Sequence, residues 1–222
     1  MKRLTLLLTM LLVFSTTLFA QKDVTKFLGI PVDGTKSEMI QKLKAKGFEN
    51  HPNFDGLLSG EFNGEKVSIG IKTINRKVWR IAVLFDYTTK DEGQIKTRFN
   101  NLCHQFSNNT NYFSLEKLSK IIIPTYEDIS YEITVNKKQY EADFLQLDNE
   151  YIDNQFDKFC SKYTQEQLDN PTEEIQAELN RFKDEMTENG FKKLVWFCIS
   201  ENYGSYRICL YYENLYNKVY NL

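Results

Sequence analysis

Three groups of residues have types and spacings that could do chemistry. The first is Gly29-Ile-Pro-Val-Asp-Gly-Thr-Lys-Ser37, one residue longer than the G-x-x-x-x-G-K-S loop that cradles phosphates. Ile81–Asp86, "IAVLFD", would be its acidic strand. The extra Thr35 turns Lys36 about 100° around the first helical turn, away from any phosphate the loop could hold. Asp33 puts a negative charge where phosphate would sit. Such a loop also needs its acidic strand in a parallel sheet, and Val24–Leu28 is too brief and too polar to feed it. The stretch reads instead as a helix start, with Thr35-x-x-Glu38 as a capping box.

The second group is the cysteines, Cys103, Cys160, Cys198 and Cys209. Four allow three pairings, and their spacing matches no zinc site. If the last two strands form a hairpin turning at Tyr203-Gly204, Cys198 lies directly opposite Cys209, beside the pair Trp196–Tyr211. Two readings stay open: a structural bridge or buried thiols, and a redox-active pair, since cross-strand bridges tend to be strained and easily reduced. Pairing them leaves Cys103 and Cys160 for each other as a second candidate disulfide.

The third group is the acid–base residues. His51 and His104 are the only histidines, so a histidine-rich metal cluster is excluded, and no cofactor is expected. His104 follows Cys103 directly, and adjacent helical residues do not face each other. Neither histidine has a nucleophile motif around it. Paired carboxylates remain open, because 30 acidic residues offer many pairs and none stands out.

Aromatic residues are abundant, with 13 Tyr, 16 Phe and 2 Trp. Tyr and Trp offer an apolar ring and a polar tip to a protein or a sugar. Trp196, Tyr211, Tyr216 and Tyr220 form the candidate binding surface; alternatively these rings cover sheet edges and core.

The elements that must position these groups follow from periodicity. A helix is predicted from Lys36 to Lys46, with Met39, Ile40 and Leu43 on one face and Gly47 as its stop. Asn63-Gly64 predicts a hairpin, and Val78–Tyr87 the third strand of an antiparallel meander. The registers set Leu58 opposite Ile69, Gly60 opposite Val67, Ile71 opposite Ile81, Ile69 opposite Val83 and Val67 opposite Phe85, with one apolar face inward. Lys90–Ser107 reads as a helix carrying Ile95, Phe99, Leu102 and Phe106. Ile121–Ile123 reads as an edge strand, and Ile129–Val135 with Gln139–Leu147 as a hairpin. Tyr151–Tyr163 reads as a helix. Asn170-Pro171 with Glu173 starts another, bearing Ile175, Leu179, Phe182 and Met186 and stopped at Asn189-Gly190. The final hairpin sets Val195 opposite Tyr212, Phe197 opposite Leu210 and Ile199 opposite Ile208.

Residues 1–20 have the order of a secretory signal peptide: Lys2-Arg3, an apolar run from Leu4, then Ala20. The mature chain, 21–222, then carries 26 basic against 30 acidic residues once Lys2 and Arg3 are gone. This balance argues against nucleic acid as a partner. No second segment is apolar enough to span a membrane. The expected location is the periplasm or the cell exterior.

Two segments carry a resemblance. Phe27–Phe48, "FLGIPVDGTKSEMIQKLKAKGF", and Tyr206–Lys218, "YRICLYYENLYNK", resemble the ends of a family of uncharacterised secreted proteins of Bacteroidetes-type bacteria. That family has no assigned activity, so the resemblance implies no site residues. "GTKSEMIQKL" followed by a meander is more distantly similar to the helix-plus-antiparallel-sheet unit of β-lactamase-inhibitor proteins and of small outer-membrane assembly lipoproteins. Those families act by binding other proteins, and this chain lacks the lipid-attachment cysteine of the second. The expectation is one α+β domain over 21–222, with helices on antiparallel meanders in two related halves, about 21–110 and 111–222. Its expected role is that of a non-enzymatic binding protein for a protein or glycan partner. The alternative is an envelope or glycan hydrolase using a carboxylate pair.

Overall fold

The computed structural model describes residues 23–219; the expected leader, 1–20, and Tyr220 lie outside them. In chain order the strands are β1 (Lys26–Phe27), β2 (Ile30–Pro31), β3 (Glu49–Asn50), β4 (Leu57–Phe62), β5 (Glu65–Ile74), β6 (Lys77–Phe85), β7 (Tyr112–Ser114), β8 (Glu141–Gln146), β9 (Lys193–Asn202) and β10 (Ser205–Asn214). The helices are α1 (Lys36–Ala45), α2 (Glu92–Ser107), α3 (Leu118–Ile121), α4 (Ile129–Thr134), α5 (Asn149–Cys160), α6 (Gln165–Asp169), α7 (Glu173–Phe191) and α8 (Leu215–Val219). The fold is α+β. β1 and β2 form a small ribbon, and the other eight strands form one sheet in the order β3-β4-β5-β6-β10-β9-β8-β7, antiparallel throughout.

Three two-residue turns fix the registers. Asn63 and Gly64, Asn75 and Arg76, and Tyr203 and Gly204 all have positive φ. That is the turn geometry whose twist matches the strands it joins. The expected pairs of the meander and of the last hairpin are all present. Ile81–Phe85 therefore has antiparallel neighbours on both sides, β5 and β10. Gly29 lies in the turn between β1 and β2, and Thr35 and Glu38 form the capping box of α1. Among the described residues, a phosphate loop has no parallel strand to stand on.

One face of the sheet holds the core. Val67, Ile69, Ile81, Val83, Val195, Phe197 and Leu210 are fully enclosed there against Met39 and Leu43 of α1 and Ile95, Phe99 and Cys103 of α2. The segment before α1 closes the core: Thr25 Oγ1 donates to the Glu213 carbonyl at 2.5 Å and Asn214 Nδ2 to that of Val32 at 2.9 Å. Asp23 pairs with Lys193, and both side chains are almost fully buried. Gly60 is required by packing, because a Cβ there would lie 2.5 Å from Cδ1 of the buried Phe48. Gly60→Ala is expected to cost roughly 1–3 kcal/mol of stability, read from the urea midpoint. A loss below about 0.5 kcal/mol would mean that Phe48 yields freely.

Residues 112–147 depart from the sequence reading. Ile121–Ile123 is not an edge strand. Asn100 on α2 bonds both the N–H and the carbonyl of Ile123 at 2.9 Å, occupying the groups a ladder would use. Ile129–Val135 is helical, not half of a hairpin. Asp128 caps it by accepting from the Tyr131 N–H at 2.8 Å, and Glu92 on α2 accepts from that of Ile129 at 2.9 Å. β8 pairs instead with β9 and β7. Two helix ends also move. Thr172, two residues past Asn170, caps α7, and the helix runs through Asn189-Gly190 to Phe191. No helix among the described residues is long and apolar enough to cross a membrane.

Candidate functional site

Alternation along the strands sends every second side chain to the face opposite the core. Registers arrange these side chains in three rows across the sheet. The first is Leu145–Leu194–Glu213–Arg80–Lys72. The second is Asp143–Trp196–Tyr211–Ala82–Gly70–Leu57, and the third Glu141–Cys198–Cys209–Leu84–Ser68–Ser59.

The first two rows meet in an aromatic–ionic cluster. Trp196 and Tyr211 stack with centroids 4.2 Å apart at 27°. Trp196 Nε1 donates to Glu213 Oε1 at 2.7 Å, and the same carboxylate pairs with the Arg80 guanidinium. A register shift between Lys72 and Thr73 leaves Trp79 as an extra residue on β6. Such bulges re-aim side chains. Arg80 then lies 4.3 Å from the Trp79 ring centroid, 5.0 Å from that of Tyr211 and 5.6 Å from that of Trp196. Lys218 Nζ of α8 sits 5.0 Å from the Trp79 ring centroid. Both tryptophans of the chain thus meet around one guanidinium, whose position over ring faces is favourable for cation–π attraction. Glu213 is 2% exposed, whereas Trp79, Arg80, Trp196 and Tyr211 are half-buried and reach solvent. The Arg80 Nε–H is buried with no acceptor among the described residues.

No family model matches the chain, and neither does any curated protein or solved structure. The chemistry of the face therefore has to be read from its own groups.

Beside the stack, Asp143 has its carboxyl pushed above the usual range by burial, then by the charges of Glu141, Glu116 and Glu213. The Tyr211 hydroxyl is pushed up by burial and by the neighbouring sulfurs. One hollow takes in the β8 end of these rows, and another lies off them. One, of about 400 Å³, opens at the edge of β8 and holds Glu116, Glu127, Glu141 and Asp143. Burial works to raise Glu127, but hydrogen bonds from Lys138 and Tyr140 hold it below the ordinary value. Another, of about 410 Å³, lies where Lys26 pairs with Asp148.

The sequence-predicted residues divide. Trp196 and Tyr211 come together on the outer face, as do Cys198 and Cys209. Tyr216 does not join them. It is buried, its hydroxyl donating to Asn189 Oδ1, so it belongs to the packing of α8 and not to a surface. Tyr220 lies outside the described residues. Cys103 is enclosed in the core on α2 and Cys160 sits on α5; all four cysteines are free thiols. His51 accepts backbone N–H bonds from Asn53 and Phe54 at 3.1 Å, a turn role, and His104 is exposed on α2. Sequence reasoning missed Trp79, Arg80 and Glu213. Glu213 shares strand parity with Tyr211, which was legible. The link from β10 to Arg80 depends on a pairing between distant strands.

Proposed function

We propose that the chain is a non-enzymatic binding protein of the periplasm or cell exterior that meets a protein or glycan partner through the outer sheet face. The observation that carries this reading is the gathering of Trp79, Trp196, Tyr211 and Arg80 on one open, half-exposed surface. Trp, Tyr and Arg are the residue types that dominate binding energy at interfaces. Trp196 and Arg80 are already held by Glu213, so little of their rotamer freedom remains to be lost on binding. The similarity of the first helix and meander to families that act by binding other proteins points the same way.

Affinity capture from the periplasm and a glycan screen test it, each run with the native chain and with Trp196→Ala. A partner retained by the native chain and weakened roughly tenfold or more by the substitution supports the reading. Equal retention by both chains would sink it.

A second reading, a glycan hydrolase, rests on the acidic hollow at β8. There Asp143 is raised and Glu127 lowered, the divergence that separates an acid from a base. Turnover by the native chain that is lost in Asp143→Asn, with no partner captured, would reverse the ranking.

A further inference from the structure

The third row of the outer face holds two sulfurs in register. Cys198 opposes Cys209 directly. The Ile199 N–H donates to the Tyr140 carbonyl, and the Tyr206 N–H to that of Thr89. Both bonds point away from the β9–β10 ladder. Since peptide groups alternate sides along a strand, those of Cys198 and Cys209 point into the ladder at each other. Pairs of this kind have Cα atoms about 5.5 Å apart, within the span that a disulfide bridges. Both cysteines are free thiols, hydrogen-bonded to one another. Cys198 is half-buried on the outer face, and Cys209 beside it is 4% exposed.

The surroundings suit exchange chemistry. Ser200 and Arg207 flank the pair on one side, Trp196 and Tyr211 on the other. Glu141 lies across from Cys198 on β8, and Leu84 across from Cys209 on β6. Cys209 is brought down to about 7 by the hydrogen bond with Cys198, against burial, with help from Tyr211, Arg207 and Ser200. Cys198 is raised by the same bond. The contact between the sulfurs therefore eases the loss of one proton, from Cys209, and resists the loss of the second, from Cys198. Cys103, enclosed in the core, is pushed up to about 12 by burial.

We propose that Cys198 and Cys209 form a dithiol site that exchanges with low-molecular-weight disulfides of the glutathione class, closing to a cross-strand disulfide beside the Trp196–Tyr211 stack. The thiolate of the pair attacks one sulfur of RS–SR, giving a mixed disulfide and RS⁻. The partner thiol gives up its proton and attacks the protein sulfur of that mixed disulfide. The Cys198–Cys209 bond forms and the second RS⁻ leaves. The cysteines lose two electrons, the external disulfide gains them, and the products are one protein disulfide and two RSH.

The test equilibrates the full chain in buffers of reduced and oxidised glutathione, traps thiols by alkylation, and maps the products by mass. The expected result is loss of two hydrogens, mapped to a Cys198–Cys209 cross-link, with tryptophan emission altered as the bond forms beside Trp196. In the reduced chain at pH 7 the pair should alkylate roughly 100-fold faster than Cys103. Cys198→Ser and Cys209→Ser each leave one thiol of the pair without its partner, and at least one should stall as the glutathione mixed disulfide at the remaining cysteine. Alkylation of both native thiols after excess oxidised glutathione would overturn the proposal. So would a native chain that stalls as the mixed disulfide, or a cross-link mapped to another pair.

Discussion

Glu213→Ala is expected to lower the unfolding free energy by roughly 3 kcal/mol. Glu213 is 2% exposed and faces Arg80, whose side chain keeps 25% of its exposure. Removing the carboxylate leaves the guanidinium between Trp79 and Tyr211 without a counter-charge. It also strands the Trp196 indole N–H, which now donates at 2.7 Å. Breaking a fully buried pair costs about 3–5 kcal/mol, and the residual hydration of Arg80 places this one at the low end. Urea unfolding reads the loss as a lowered midpoint at unchanged slope. The double variant Glu213→Leu/Arg80→Leu should recover most of it, because the cost lies mainly in the orphaned charge. A single-variant loss below about 1 kcal/mol would mean that Arg80 finds its counter-charge in solvent. The ion pair would then not fix the rings.

Phe197→Ala is expected to cost about 4 kcal/mol. Phe197 is wholly buried on the core face, within 5.2 Å of the Phe99 ring, 5.4 Å of Phe106 and 5.9 Å of Phe144. These rings come from α2 and β8, so truncation opens a cavity that two elements besides β9 would have to close together. Phe197→Leu keeps most of the volume and should lose less than about 1.5 kcal/mol. If the two substitutions cost the same, the site collapses around the missing ring and the core is softer than its packing implies. The two alanine variants also separate core from face. Phe197→Ala leaves the Trp196–Tyr211 stack its hydrogen-bonded anchor, whereas Glu213→Ala removes it.

How much of this was legible depended on range. The meander and final hairpin were readable because each is closed by a two-residue turn and because the period-two pattern fails if slipped by one residue. Trp196–Tyr211 and Cys198–Cys209 came with that register. Ile121–Ile123 and Ile129–Val135 were misread because β-branched residues favour strands locally. Asn100 and Glu92 on α2, whose proximity no local pattern reveals, took their backbone groups. Thr172 was overlooked as a cap because Asn170-Pro171 offered a stronger local signal two residues earlier. Arg80 and Glu213 meet only because β10 joins β6, pairing Glu213 with Arg80. The extra residue at Trp79 leaves no mark in the sequence pattern. Tyr216 looked like a surface ring from composition, but Asn214 Oδ1 accepts its N–H at 3.1 Å as α8 turns inward.

Among the described residues, the strand latest in sequence stands in the middle of the sheet: β10 joins β6 on one side to β9 on the other. Without it, the ribbons β3–β6 and β7–β9 share no edge. During synthesis the keystone therefore arrives after both flanks, and the two ribbons wait with unsealed margins until it emerges. A nascent chain built in this order is expected to stay threadable until β10 emerges and to lock only then. Folding assays on progressively longer ribosome-bound chains should show that lock only once Asn214 has cleared the exit tunnel.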